Sequence, residues 1–146
     1  MSIELSWIIE GKVILHRNVG DVTLHDLLTV DEPLNAMLNR GSGAEAVHMV
    51  VLANPDGNGP MSVRAFTAAT WPRNPNLSWT VVVGLKHPVL RFAADTASQI
   101  LGMKARFFKT PEGAARYLLV MDTTLPRDFS HAMWTDDSGD ANSASL

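Results

Sequence analysis

The chain has 146 residues, 46% hydrophobic and 18% charged, which is the size and balance of one globular domain with a core of its own and not of a disordered segment. The net charge of −3 sits at one end. From Asp122 onward the chain carries −4, leaving +1 over residues 1–121, so no basic excess of the kind a nucleic-acid binder needs is present. Cysteine is absent, which excludes disulfides, thiolate catalysis and cysteine-based zinc sites.

The start, MSIELSWIIEGK, has an acid at Glu4 and no basic run, unlike a signal peptide. It enters a strand pattern at once. IELSWII and GKVILHRNVG are both rich in β-formers, and Glu10-Gly11 between them predicts a hairpin. DVTLHDLLTVDEPLNAMLNRGSG follows with apolar residues at helical spacing. Thr23 and Asp26 are spaced as a capping box, and Gly41 and Gly43 close the segment. Pro33 removes a donor inside it, which predicts a kink or break near Asp31-Glu32.

AVHMVVLA (46–53) is the most continuous apolar run and reads as a central strand buried on both faces. LANPDGNGPMSVRAF leads out of it into MSVRAFTAATW, a short helix. WPRNPNLS is a loop by its prolines and asparagines, and WTVVVG (79–84) is a second buried strand. HPVLRFAADTASQILGMKA reads as an amphipathic helix with Val89, Leu90, Ala93, Ala97, Ile100 and Leu101 inward. RFFK is a short strand. TPEGAARYLLVMD opens with Thr110 as N-cap, Pro111 at the first helical position and Glu112 in the first turn. After Asp122 the periodicity ends. Residues 122–146 read as an acidic, disordered tail, with Trp134 free to dock on its own molecule or a neighbour. No apolar run reaches the roughly eighteen residues of a membrane-spanning helix, and the expected location is cytoplasmic.

The order β-β-α-β-α-β-α-β-α predicts one α/β domain over 1–121. Its sheet is mixed but mostly parallel, with about five strands, four helices and an antiparallel first strand at an edge. VGDVTLHDL, AVHMVVLA, WTVVVG and RFFKTPEGAARYL together resemble the STAS domains, most closely their SpoIIAA-like branch, which is related to anti-sigma-factor antagonists. The resemblance covers roughly 1–121. Gly20 and Thr23 match its helix entry, and Thr110 to Leu118 match its close. It implies a non-enzymatic, regulatory protein-interaction module whose contact face is the loop 54–62 and the following helix. It further implies a phosphorylatable serine at the start of that helix. The family's Asp-Ser-Ser-Gly-like signature is replaced here by NPDGNGPMSV, in which Ser62 is the one hydroxyl.

At Ser62 the residues favour a helix N-cap over a phosphorylation or anion site, since both uses exploit the same free amides. Gly57 and Gly59 lack the lysine of a Walker loop and the third glycine of a dinucleotide fingerprint, so no cofactor is expected. His16, His25, His48, His87 and His131 show no metal-ligand spacing; His16 and His48 lie on neighbouring strands and read as separately hydrogen-bonded. No carboxylate pair or nucleophile–base pair is legible. Trp71 and Trp79 bracket the loop WPRNPNLSW. With Asn54, Asp56, Met61, Phe66 and Leu77 they make the candidate surface for a protein partner or a small apolar or anionic, lipid-like ligand. The partner reading comes first and the ligand carrier or sensor second. Nucleic acid is not an expected partner, and a homodimer is allowed.

Overall fold

A computed structural model describes residues 3–41, 47–54 and 67–135. Five strands form one sheet in the order of the chain: β1 (Ile3–Ile9), β2 (Val13–Asn18), β3 (Val47–Leu52), β4 (Leu77–Val83) and β5 (Lys104–Phe108). β1 runs antiparallel to β2, and every other pair is parallel. The α/β class, the mixed sheet, the antiparallel edge strand and the central place of 47–52 agree with the sequence. The hairpin turns through Gly11 at φ 78°, in the left-handed region that glycine enters without strain.

Between β2 and β3 lie α1 (Leu24–Thr29) and α2 (Asp31–Asn39). The capping box forms: Thr23 Oγ1 accepts from the Asp26 amide at 3.1 Å, and Asp26 Oδ2 accepts from the Thr23 amide at 2.9 Å. The helix breaks at Val30, one residue before the expected site. Pro33 then falls in the first turn of α2, where amides have no helical acceptor and a proline costs little. α3 (Pro88–Leu101) starts on His87 and ends on Gly102 at φ 70°. α4 (Pro111–Met121) starts on Thr110, whose hydroxyl accepts from Gly113. A short α5 (Ala132–Thr135) ends the described chain.

Strand alternation divides the buried side chains into two layers. Val13, Leu15, Val50, Val81 and Val83 pack with Ala114, Ala115 and Leu118 of α4. Ile3, Ile14, Val47 and Met49 pack with Val30, Leu34 and Leu38 on the opposite face. The crossovers α1–α2 and α3 share this second face, as right-handed connections in a sheet of sequential order require.

Two expectations are corrected. The domain does not stop at residue 121: Leu125, Phe129 and Trp134 are buried in the α4 layer, so the core continues through the first half of the expected tail. Residues 136–146, the rest of that tail, lie outside the described residues. On α3, Leu90, Ala93 and Ala97 are buried as expected, but Val89 and Ile100 are exposed, as is Phe92. Its apolar arc is wider than the strip the sheet covers.

Candidate functional site

On the α4 side the sheet is closed by chemistry as well as packing. β3 and β4 slip by one residue between Val47 and Met49, which takes the Trp79 amide out of the ladder. That amide donates to His48 Nδ1 at 3.3 Å. His48 Nε2 in turn donates to Asp122 Oδ2 at 2.7 Å. Asp122 Oδ1 accepts from both the amide and the hydroxyl of Thr124, and Lys12 Nζ donates to that hydroxyl at 2.9 Å. Burial alone would raise the Asp122 pKa, but the hydrogen bonds from Thr124 and His48 prevail and lower it to about 2. The His48–Asp122 pair resembles the histidine and carboxylate of a catalytic triad, yet both imidazole nitrogens are engaged. No nitrogen remains to take a proton from a nucleophile. Its role is to fasten the end of α4 to the sheet.

The other face is hollow. A cavity of about 160 Å³ lies between the carboxyl-terminal halves of β2, β3, β4 and β5 and the helices α1 and α3. Its walls are mostly apolar, from Val51, Val82 and Phe107 on the sheet to Leu90 and Leu101 on α3 and the Trp71 indole. That volume compares with the cavity of about 150 Å³ that accepts benzene in an engineered protein core. Open α/β sheets bind ligands at this same end of their strands.

Among the described residues, five polar side chains line the cavity: His16, Asn18, Asn54, Thr80 and Ser98. Two are already satisfied. Asn54 Nδ2 donates to the Gly20 carbonyl at 3.2 Å, and Ser98 Oγ donates to the Asp95 carbonyl at 2.7 Å. The other three each bury a polar atom that has no hydrogen-bond partner: His16 Nδ1, Asn18 Oδ1 and Thr80 Oγ1. His16 is 4% exposed and Thr80 2% exposed. Burial lowers the His16 pKa to about 4, against a smaller upward effect of a backbone hydrogen bond, so the imidazole is neutral at pH 7. No Lys, Arg, Asp or Glu is among the described lining residues.

Trp71 is held in this wall by a polar brace. Asp31, at the start of α2, accepts from the Thr70 and Trp71 amides at 2.8 and 2.9 Å and from the Thr70 hydroxyl at 2.7 Å. Asn74 donates to Asn35 and Asn39, and Asn76 donates to the Leu38 carbonyl. The loop between Trp71 and Leu77 is therefore tied to α2. The Trp71 ring stands 6.4 Å from that of His16.

The surface expected from Trp71, Leu77 and Trp79 is not a single patch. Trp71 and Leu77 pack in the α2 layer. Trp79 lies on the opposite face, edge-on to Tyr117 at 5.1 Å with Lys104 over its ring. Asn54 does line the cavity. Asp56, Met61, Ser62 and Phe66 lie outside the described residues. His16 and His48 do not meet, because their side chains point to opposite faces: His16 pairs with Val51, while His48 pairs with Val13. Asn18 and Thr80 were not among the sequence candidates. Their signal was a polar residue at an inward position of an apolar strand, in VILHRN and in WTVVV.

Among the described residues no three His, Asp or Glu side chains gather as a metal site, and no helix is long and apolar enough to cross a membrane. Comparison of the chain with known protein families, with curated proteins and with solved structures gives no match.

Proposed function

We propose that this protein binds a small, largely apolar molecule in the cavity between the sheet and α1–α3, as a carrier or sensor. The observation that carries the reading is that three residues lining one mostly apolar space each bury a polar atom without a partner. A buried polar group without a partner costs about 1–3 kcal/mol. Three around one cavity are a standing cost that an occupant with matching groups removes. An apolar enclosure with a few placed polar groups is also the usual make-up of a small-molecule site.

The sequential sheet order with an antiparallel edge strand supports a STAS-like, SpoIIAA-like assignment of the fold. A fold of this kind hosts many activities, so the functional reading rests on the cavity and not on the likeness. A protein-interaction face at 54–62 draws no support from the described geometry, which includes only Asn54 of that stretch.

Benzene is the simplest probe. In a methyl NMR titration it should shift Val22, Val51, Val82, Leu90 and Leu101 while leaving Val13, Leu15 and Val50 on the far face unmoved. Ala97→Phe, which places a ring in the cavity from α3, should abolish those shifts with the fold retained. Methyls in the wild-type protein that stay unmoved by benzene and by substituted phenols alike would refute the reading.

A further inference from the structure

The three unpartnered atoms are not adjacent, and their spacing describes the ligand. His16 and Asn18 are two residues apart on β2, so both face the cavity one strand step from each other. Thr80 sits on β4, two strands across. It is level with Ile14 through Met49, whereas His16 is level with Val82 through Val51. Two strand spacings and one two-residue step separate the Cα atoms of His16 and Thr80 by about 12 Å. A single hydroxyl cannot bond at both places. Val51 and Val82 occupy the floor between them, which is apolar.

Resting on the ligand reading above, we infer that the ligand is a neutral, compact molecule with an apolar, ring-sized centre and a hydrogen-bonding group at each of two opposite ends, as in a para-substituted phenol bearing a second uncharged oxygen. One end meets His16 Nδ1 and Asn18 Oδ1, and the other meets Thr80 Oγ1. Asn18 Oδ1 only accepts, so the group at that end carries an O–H or N–H. The Thr80 hydroxyl gives or takes a proton, so the second group is an alcohol, a carbonyl or an ether. Charge is disfavoured from both directions. An anion in the cavity finds no cation among the described lining residues, and a cation finds no carboxylate. Of the two chemistries that the sequence left together, apolar and anionic, the uncharged one fits the described lining.

Four probes test this: benzene, phenol, 4-hydroxybenzyl alcohol and 4-hydroxybenzoate, each titrated at pH 7 with methyl NMR as the readout. Affinity should rise from benzene to phenol and again to 4-hydroxybenzyl alcohol, by roughly three- to tenfold at each step, the gain of one hydrogen bond made to a waiting buried partner. The benzoate should bind at least roughly tenfold more weakly than the alcohol, for want of a counter-charge. Thr80→Val, which changes the shape of the site least, should erase the second step and keep the first. His16→Leu should shrink the first, and His16→Leu combined with Asn18→Leu should erase it. Equal affinities for benzene and 4-hydroxybenzyl alcohol, or tighter binding of the benzoate, would overturn the two-ended neutral ligand and leave the cavity reading standing. Failure of all four probes would overturn both.

Discussion

The two faces of one sheet have been finished differently. Beneath α4 and the segment 122–135 the packing is closed: Phe129 and Trp134 are each 2% exposed, their rings 5.4 Å apart, and the Arg17 guanidinium donates to the Trp134 carbonyl at 2.7 Å. Among its described side chains only the Trp134 indole N–H is buried without a partner. Beneath α1 and α3 the same strands leave a cavity with three unpartnered polar atoms in its wall. Buried polar groups are nearly always satisfied, so their concentration on one side is informative. The closed face supplies stability and the hollow face gives some of it up, as sites that must accept a ligand do.

The closed face should be the more sensitive to truncation. Trp134→Ala removes the largest fully buried side chain among the described residues and should cost about 3–5 kcal/mol, read as a lower urea midpoint. A loss below about 1 kcal/mol would mean that 122–135 is an accessory strap and that α4 alone seals the sheet.

The hollow face should announce itself in the pH dependence of stability. The His16 pKa falls from 6.5 to about 4 on folding, so between those values the unfolded chain binds the proton and the folded chain does not. The contribution is therefore complete above about pH 6.5 and is lost as pH falls towards 4, on the order of 3 kcal/mol in all. His16→Leu should remove that slope between pH 6.5 and 4. Asp122 acts lower: its pKa drops from 3.8 to about 2, so its contribution is intact above 3.8 and disappears as pH falls through 2. An unchanged slope in His16→Leu would show that the imidazole is not held neutral by burial.

Asp122→Ala should be milder than the loss of Trp134. It strands the buried His48 Nε2–H and releases Thr124, for about 1–3 kcal/mol. Because His48 still accepts from the Trp79 amide, the bulge between β3 and β4 should persist, with the Trp79 amide remaining protected from hydrogen exchange. Rapid exchange at Trp79 would make Asp122, and not the bulge itself, what holds His48 in place.

The same contrast divides what could be read from the chain. Strands and helix starts are local, and Thr23, Thr110 and Pro111 marked two of the starts through their caps. The end of α3 at Gly102 was not marked in that way, and the helical reading runs on through it. Leu125, Phe129 and Trp134 carried no such mark. They follow no helical or strand period and are buried because a surface elsewhere in the chain fits them. The Trp71–Trp79 patch failed for a related reason. Strand parity would have separated neighbours, but the slip between Val47 and Met49 lets Leu77 and Thr80 share a face and sends Trp79 to the other. Loop proximity in sequence said nothing of this. The cavity was least legible of all, because whether His16, Asn18 and Thr80 have partners is a property of three dimensions. Only their polarity within apolar strands was visible beforehand.

Thr80→Val offers the smallest effect and the sharpest sign. Most core substitutions destabilise, and exchanging a hydroxyl for a methyl normally loses a hydrogen bond. Thr80 Oγ1 makes none, and its residue is 2% exposed, so in the empty protein the exchange removes an uncompensated polar atom while keeping the β-branched shape that a strand prefers. The expected result is a gain of up to about 1 kcal/mol in thermal or urea unfolding. The matching change on the closed face, Asp122→Asn, weakens bonds that are made and should lose stability. If Thr80→Val destabilises as well, the hydroxyl is already hydrogen-bonded to water in the cavity. The hollow face would then be solvated in its resting state, and a ligand would have to displace that water and not simply fill a dry space.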